Sequence, residues 1–238
     1  MITIYSIAYN EEILLPYFIR FYRTRFPDCN IVIYDNCSTD STKKIALSES
    51  CSVINFDTNN EINEYKYLEV KNHCWKQSLT DWVLVCDIDE WFDVKQNDLL
   101  LAKKNKVNIF RSQSWNMVNM TSEWIDPDEI NYGVRDSHYD KCLLFNSKQI
   151  LEINYDVGCH HSNPVSFDNI KYEDRHLMYH MGWYLDETYR RNKNLAYAKR
   201  LSKLNIERKW GHQYLKNETD MRAEFDGVRK KSSMIRHN

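Results

Sequence analysis

The alternation of apolar runs with helical patterns in the first hundred residues is the feature that most limits the fold. Runs rich in β-branched and aromatic residues, typical of strands, lie at 2–9, 29–35, 52–56 and 82–88. Apolar residues recur at helical spacing between them, after residue 10, over about 42–50 and over 64–79. Because parallel strands need a crossover between them, this order predicts an α/β fold with a mostly parallel central sheet flanked by helices.

Local signals refine two of these helices. Asn10 is expected to cap the first helix, with Glu11 and Glu12 at its positive end and Pro16 tolerated in its first turn. In the third helix, Leu68, Trp75 and Leu79 are expected to form one apolar stripe.

The second half of the chain is less regular. We expect strands in 108–118 and 141–146, a loop over 126–140 and one long helix over 185–208. The C-terminal part is therefore predicted to be more helical. A length of 238 residues suits one large domain with a substantial core, and we expect a single domain over 1–238.

Composition excludes several classes of protein. The formal net charge of −2 gives no broad attraction for nucleic acid or an anionic membrane. Seven cysteines without a C-x-x-C pair argue against a disulfide framework or a cysteine zinc site and favour a reducing compartment. The first residues lack the basic region of a signal peptide, and no apolar stretch is long enough to span a bilayer. The predicted location is cytoplasmic.

Two aspartates follow the fourth apolar run, in "WVLVCDIDEW". Ligands of open parallel sheets bind beyond the C-terminal ends of the strands, and residues i and i+2 of an extended chain point to the same side. Asp87 and Asp89 can therefore converge on one cation, and carboxylate oxygens suit Mg²⁺ or Mn²⁺. The D-x-D triplet is common, so the alternative is that Asp87 caps a turn while Asp89 and Glu90 are solvated.

Glycine-rich phosphate loops are absent from the sequence. It has neither a G-x-G-x-x-G nor a Walker A motif, and its five glycines are scattered. A nucleotide bound at this sheet would therefore need a metal to neutralise its diphosphate.

Three motifs in order, "AYNEE", "IVIYDNCSTDST" and "DWVLVCDIDEW", resemble family 2 glycosyltransferases with the GT-A fold. A weaker likeness to small bacterial and viral members continues through "KCLLFN", "GCHH" and "GWYLDETYRR". The resemblance implies a nucleotide-sugar-binding half over 1–100 and an acceptor-binding half over 101–238.

The resemblance also implies a set of donor-binding residues. Nucleotide-sugar contacts are expected from Ala8, Tyr9, Asn10, Glu12, Asp35, Lys71, Asn72, Asp87 and Ile88. Asp35 would accept a hydrogen bond from uracil N3–H or from the guanine N1–H edge. Asn36 and Cys37 depart from the aspartate and glycine that the family often has there, and an Asx-turn is the structural alternative for Asp35.

Metal and base candidates follow in the same way. The cation is expected on Asp89, with Asp87, and on a histidine, with His180 preferred to His160. The general base is expected at Asp174, with Asp136 and Asp140 as competitors. The alternatives are a histidine zinc site and acidic residues that are merely solvated.

The implied function is transfer of a sugar from a nucleotide-diphosphate donor, with Mn²⁺ or Mg²⁺ and with inversion. A UDP-sugar is favoured, a GDP-sugar is possible, and the acceptor is a glycan, a protein-linked sugar or another hydroxyl, as in polysaccharide biosynthesis. The rival hypotheses are a sugar-phosphate nucleotidyltransferase, a non-catalytic nucleotide-sugar-binding module and a histidine-based metal hydrolase.

Overall fold

The computed structural model describes residues 1–121 and 123–235. Its strands, in chain order, are β1 Ile2–Ala8, β2 Asn30–Asp35, β3 Ser52–Asn55, β4 Trp82–Val85, β5 Glu90–Phe92, β6 Ile109–Arg111, β7 Gln113–Val118, β8 Tyr132–Arg135, β9 Cys142–Asn146, β10 Ile150–Glu152, β11 Val165–Ser166, β12 Tyr172–Glu173, β13 Leu177–Tyr184 and β14 Ser233–Met234. Its α-helices are α1 Leu15–Arg25, α2 Thr42–Ser48, α3 Glu64–His73, α4 Gln96–Lys104, α5 Glu187–Ala198, α6 Lys203–Arg208 and α7 Glu218–Lys231.

A seven-stranded sheet forms the centre, in the order β12-β6-β9-β4-β1-β2-β3. Strands β3, β2, β1 and β4 are parallel neighbours, and β9 runs antiparallel to both β4 and β6. The predicted α/β fold, with a mostly parallel central sheet flanked by helices, is confirmed. Because β1, β2 and β4 are parallel, the residues that follow Ala8, Asp35 and Val85 meet at one edge of the sheet.

A second, five-stranded sheet has the order β14-β8-β7-β13-β5. Its strand β5 begins only five residues after β4 ends, so the chain passes from one sheet to the other through 86–89. Strand β5 pairs antiparallel with β13, and Glu90 lies opposite His180. The two aspartates thus lie in a short connection between two sheets, a placement that the sequence analysis did not anticipate.

Helix α1 packs against this connection. Phe21 lies 5.2 Å from Trp91 between ring centroids, and Tyr22 is fully buried. The Tyr22 hydroxyl donates to the Glu90 carbonyl at 2.8 Å and accepts from the Phe92 N–H at 2.9 Å. The Tyr22 side chain therefore supplies a hydrogen-bond partner to two buried backbone groups of β5, the Glu90 carbonyl and the Phe92 N–H.

The start of α1 differs from the prediction. The helix begins at Leu15 with Leu14 as its N-cap, so Asn10 does not cap it, and Glu11 and Glu12 precede it. Asn10 adopts a left-handed conformation with φ of 53°, which directs the chain into a separate turn. Pro16 does lie in the first helical turn, as expected.

Two other helices are shorter than predicted. Helix α3 ends at His73, so Trp75 and Leu79 lie beyond it; Trp75 is buried, whereas Leu79 is 95% exposed. The long helix predicted over 185–208 is divided into α5 and α6. Residues 199–202 form the break, where Leu201 makes an isolated parallel bridge with Ile62. Tertiary pairing overrides the helical period there.

The middle of the chain also departs from expectation. The strand expected in 108–118 is two strands, β6 and β7, which belong to different sheets. The loop expected over 126–140 contains β8 and two 3-10 helices, Pro127–Glu129 and Ser137–Tyr139. The strand expected in 141–146 is β9, and the more helical C-terminal part is confirmed by α5, α6 and α7.

Two further expectations concern thiols and membranes. All seven cysteines are free. Among the described residues, no helix combines the length and apolar character needed to cross a bilayer.

Tyr22→Phe is expected to lower the free energy of unfolding by about 1–3 kcal/mol, because a buried donor and a buried acceptor in β5 lose their partner. Urea unfolding followed by circular dichroism measures it. Tyr65→Phe is the control, since Tyr65 is 54% exposed. Equal stability of the two variants would contradict the anchoring role of Tyr22.

Candidate active site

A cavity of about 230 Å³ opens where β1 and β4 end. Both halves of the chain line it: Ile7, Tyr9, Glu11, Ile62, Glu64, Tyr67, Leu68, Lys71 and 87–90 from the first, and Tyr139, Lys141, 158–160, His180, Trp183, Lys193, Tyr197, Gln213 and Tyr214 from the second. The position agrees with the rule for open α/β sheets.

Asp87 is held by a lysine on α3. The Lys71 ammonium lies 2.7 Å from Oδ1 and 2.9 Å from Oδ2 of Asp87. Burial raises the pKa of Asp87, but the charges of Lys71 and Lys141 outweigh it and bring that pKa to about 2. Asp87 is therefore a carboxylate at neutral pH, and both of its oxygens face the Lys71 ammonium.

Glu90 supports the same turn from below. Its side chain is 2% exposed; Oε2 accepts from the Asp87 N–H at 2.9 Å, and Oε1 is bonded to the Lys141 ammonium. The Lys141–Glu90 ion pair is buried, because Lys141 is only 4% exposed. Glu90 therefore positions Asp87 from beneath, and the alternative of a solvated Glu90 is wrong.

Asp89 faces a histidine on β13. Asp89 Oδ2 lies 3.8 Å from His180 Nε2 and 3.4 Å from the Lys193 ammonium. Burial raises the pKa of Asp89, but the opposing charges, that of Lys193 foremost, make the net shift downward, so the group is ionised. A glycine makes room for it: a Cβ at Gly182 would lie 2.1 Å from Asp89 Oδ2.

The protonation of His180 follows from its other neighbour. Asn116 Nδ2 donates to Asp136 Oδ2 at 3.0 Å, which directs Asn116 Oδ1 toward His180 Nδ1 at 2.8 Å. Since an amide oxygen only accepts, Nδ1 of His180 carries the proton. Burial lowers the pKa of His180, so Nε2 presents a lone pair to Asp89.

Two acceptors thus face each other, a carboxylate oxygen and an imidazole nitrogen. A divalent cation such as Mn²⁺ fits this donor set, because it accepts both oxygen and imidazole ligands and keeps several waters. Within 1–121 and 123–235, no three histidine, cysteine or acidic side chains form a complete metal site by themselves. The remaining ligands would come from water or from a bound molecule.

Lys193, on α5, connects Asp89 to a carboxylate from the other side of the cavity. Its ammonium lies 2.9 Å from Glu11 Oε1, and Glu11 is 6% exposed. Burial raises the pKa of Glu11 to about 7, against the opposing charge of Lys193. Glu11 lies in the cavity, whereas Glu12 is exposed and accepts from the Ser41 N–H at 2.9 Å.

The first two turns of the sheet edge are tied together. Asn10 Oδ1 accepts from the Thr39 N–H at 2.8 Å, and the Asn10 N–H donates to Ser38 Oγ at 3.0 Å. Asp35 is 3% exposed; Oδ2 accepts from the Ser38 N–H at 3.3 Å, as in the Asx-turn alternative, but Oδ1 is buried without a hydrogen-bond partner.

The other predicted donor residues divide into two groups. Tyr9 and Ile88 line the cavity. Ala8 is buried at the end of β1, where its carbonyl accepts from the Asn36 N–H at 2.9 Å. Asn72 points elsewhere, bonded to the backbone of Tyr155 through both its oxygen and its amide.

The three base candidates lie outside the described lining of this cavity. Asp136 caps a 3-10 helix and accepts from Asn116, and Asp140 pairs with Arg135 at 2.5 Å and accepts from the Ser114 N–H. Asp174 is exposed. Asp140 and Asp174 line a second cavity of about 370 Å³, and His160 borders both cavities.

His160 is separate from the Asp89–His180 pair. Its Nδ1 donates to the His138 carbonyl at 2.8 Å, and its ring stacks on His138 with centroids 4.3 Å apart. Burial lowers the pKa of His160 to about 4, so the ring is neutral at pH 7.

Several cavity residues had no clear signal in the sequence. Glu11 was indistinguishable from Glu12 in "YNEE", and the aromatic wall of Trp183, Tyr197 and Tyr214 comes from three separate segments. The centroid of the Tyr214 ring lies 4.9 Å from that of Tyr197 and 6.2 Å from that of Trp183. Only the fold brings these rings together.

One protein family matches the N-terminal part of the chain. Residues 3–106 match the sequence profile of the family described as "Glycosyl transferase family 2". The N-terminal part of the chain is therefore similar to glycosyl transferase family 2. The match contains Asp35, Asp87 and Asp89, and it confirms the expected resemblance to a glycosyltransferase. A search of curated protein sequences found no match.

Solved structures of glycosyltransferases are similar to the chain only in part. TarS 1-349 of S. aureus is 12% identical with a TM-score of 0.47, over 82% of this chain and 64% of that one. The mannosyltransferase PcManGT from Pyrobaculum calidifontis, in complex with GDP-Man and Mn²⁺, is 14% identical with a TM-score of 0.36, over 54% and 36%. Glucosyl-3-phosphoglycerate synthase from Mycobacterium tuberculosis, with Mn²⁺ and UDP, is 16% identical with a TM-score of 0.35, over 48% and 44%. The chain spans between 39% and 66% of the TarS chains that it matches.

Gly182→Ala is expected to displace the Asp89 carboxylate and to weaken Mn²⁺ binding about 10–100-fold, the usual effect of disturbing the support of a metal ligand. Calorimetric titration with Mn²⁺ measures it. Gly227→Ala is the matched control, because a Cβ at Gly227 meets nothing within 4 Å. Unchanged Mn²⁺ affinity in Gly182→Ala would remove Asp89 from the metal site.

Proposed function

We propose that the protein transfers a sugar from a nucleotide-diphosphate donor to a hydroxyl acceptor, with a divalent cation and with inversion at the anomeric carbon. A UDP-sugar is the favoured donor and a GDP-sugar the alternative. Mn²⁺ or Mg²⁺ is the proposed cofactor, and a glycan or protein-linked sugar is the proposed acceptor.

The observation that carries this proposal is the pair of facing acceptors, Asp89 Oδ2 and His180 Nε2, 3.8 Å apart at the edge where β4 ends. A carboxylate and an unprotonated imidazole nitrogen at this distance do not bond to each other, but both can bind one cation. Asp89 lies two residues after Asp87, and both aspartates are in the segment 3–106 that matches the profile of a glycosyltransferase family.

The chain's own residues divide the work of donor binding. Asp87, Asp89 and His180 would hold the cation, which when bound neutralises charge on the leaving diphosphate. Lys71, Lys141 and Lys193 bring three ammonium groups to the cavity wall. Their charges are placed to stabilise negative charge that develops on the leaving group in a site with little water. Asp35, with its unpaired Oδ1, is proposed to accept from the N–H of the base.

The acceptor is proposed to enter from the side of His160, where the two cavities meet. Its hydroxyl oxygen would form the new bond to the anomeric carbon while the bond to the diphosphate oxygen breaks. The nucleoside diphosphate leaves with the electron pair, and a general base takes the hydroxyl proton. Asp174 is the proposed base, because it borders the second cavity and no bond to its carboxylate is seen among the described residues, whereas Asp136 and Asp140 are engaged in structural contacts.

Donor and cation binding are tested together by a thermal-shift matrix. It crosses UDP, GDP and CDP with Mn²⁺, Mg²⁺ or chelator. Because a ligand that binds only the folded state raises the unfolding midpoint, UDP with Mn²⁺ is expected to raise it by several degrees and chelator to abolish the effect. Asp89→Asn is expected to fold normally and to lose the metal-dependent rise.

Other outcomes would favour the rival functions. A rise with metal alone, indifferent to every nucleotide, would support a metal hydrolase. A nucleotide-dependent rise without any sugar transfer or donor hydrolysis would support a binding module. Release of diphosphate from a nucleoside triphosphate and a sugar phosphate would support a nucleotidyltransferase.

Asp174→Asn is expected to lower kcat for transfer by about 10²–10⁴-fold, the usual contribution of a general base, with the KM for the donor little changed. Release of UDP measures the rate. Asp168→Asn is the matched control, because Asp168 is also an exposed aspartate in the second half but does not line the second cavity. Full activity of Asp174→Asn would exclude it as the base.

A further inference from the structure

A buried arginine occupies the break between α5 and α6. Arg200 is 2% exposed, and its guanidinium carbon lies 3.4 Å from the centroid of the Tyr9 ring. Its Nη2 donates to Asn36 Oδ1, and its Nε donates to the Asn60 carbonyl at 3.4 Å. The side chain thus reaches from the second half of the chain to the turns that follow β1 and β2.

No carboxylate in the part of the chain that the structure describes balances the charge of Arg200. Among the described residues no carboxylate forms an ion pair with it, and Nη1 is buried without a hydrogen-bond partner. A buried cation with an unsatisfied N–H is unfavourable unless a ligand completes it. Arginine is also poorly suited to escape the problem by losing its proton.

The residue before Asn36 in the chain carries an unsatisfied acceptor. Asp35 is 3% exposed, has no ion-pair partner among the described residues, and keeps Oδ1 unpaired. Asp35 pairs in register with Ala8, the residue before Tyr9, and Asn36 follows it directly. Asn36 Oδ1 accepts from both Arg200 and Tyr67, so Arg200 is bonded to the residue that follows Asp35, while Arg200 Nη1 and Asp35 Oδ1 have no hydrogen-bond partner among the described residues.

We propose that Arg200 is a nucleobase-binding residue, which donates from Nη1 to a carbonyl oxygen of the donor's base while Asp35 accepts from the adjacent ring N–H. Uracil presents this combination, because N3–H lies between two carbonyl groups. The inference rests on the proposed function. The sequence motifs place recognition of the base in the N-terminal half alone, whereas Arg200 adds a contact from the C-terminal half.

The position of Arg200 explains why the helix predicted over 185–208 breaks there. The Arg200 carbonyl accepts from the Ile62 N–H at 2.7 Å, which fixes the backbone of the break against the loop before α3. A purely structural anchor would need that backbone contact and the Tyr9 stacking. It would not need a free, buried Nη1.

Wild-type protein provides the first test, by calorimetric titration with UDP, 2-thio-UDP and 4-thio-UDP in the presence of Mn²⁺. Both analogues keep N3–H for Asp35, but each replaces one carbonyl oxygen by sulfur, a weaker acceptor. One of the two is expected to bind several-fold more weakly than UDP. If GDP binds in place of UDP, 6-thio-GDP is the corresponding analogue.

Variants assign the contact to Arg200. Arg200→Gln is expected to weaken UDP binding roughly tenfold, the loss of one hydrogen bond from a charged donor, and to bind UDP and the sensitive analogue equally. Arg200→Lys keeps the charge and replaces Arg200→Gln in the test if that variant does not fold. It is expected to reduce the difference in affinity between UDP and the sensitive thio analogue. Arg25→Gln is the matched control, because the Arg25 guanidinium also lies 3.4 Å from a ring centroid, that of Phe21, but pairs with Asp93 away from the cavity. It is expected to keep the discrimination.

Two results would overturn the inference alone. One is equal binding of UDP and both thio analogues by the wild type; the other is full retention of the discrimination in Arg200→Gln or, where that variant does not fold, in Arg200→Lys. Failure of the wild type to bind any nucleoside diphosphate would instead overturn the donor assignment of the proposed function, and the inference with it.

Discussion

The buried carboxylate of Glu90 fixes the geometry on which the site depends. One of its oxygens accepts from the Asp87 N–H and the other is bonded to the Lys141 ammonium, while the Glu90 carbonyl accepts from Tyr22. The turn that carries Asp87 and Asp89 is therefore attached to α1, to the segment before β9 and to β13 at once. Because removing one partner of a buried ion pair leaves an uncompensated charge, this arrangement resists displacement of either aspartate.

Charge is distributed around the cavity in alternation. Five carboxylates and three lysines belong to its described lining. Lys71 forms an ion pair with Asp87, and Lys141 forms one with Glu90. Lys193 pairs with both Glu11 and Asp89. The excess of carboxylates favours the binding of a cation, and the lysines would offer charge to the diphosphate of the proposed donor. Both effects are strong here because the groups are mostly shielded from water.

Local sequence patterns predicted most of the helices and strands, but not which strands pair with each other. Strand β4, which ends two residues before Asp87, was predictable, because a buried parallel strand is a continuous apolar run. Strand β5 was not, since its three residues have no period of their own and are extended because they pair with β13. The helix break at 199–202 was likewise invisible, because the apolar spacing continues through it while Leu201 bridges to Ile62. Glu11 and Glu12 differ only in which side of the turn faces the cavity.

The sequence alone determined the α/β class, the strand that precedes the two aspartates, and the family motifs. Each of these depends on residues that are close together in the chain. Tertiary structure alone decided which lysine faces which carboxylate, which nitrogen of His180 is free and where Arg200 lies. Arg200 and Asn36 are 164 positions apart, and no local period reports such a contact. Burial then determines the chemistry, since the pKa of a carboxylate or imidazole depends on neighbours that only the folded chain supplies.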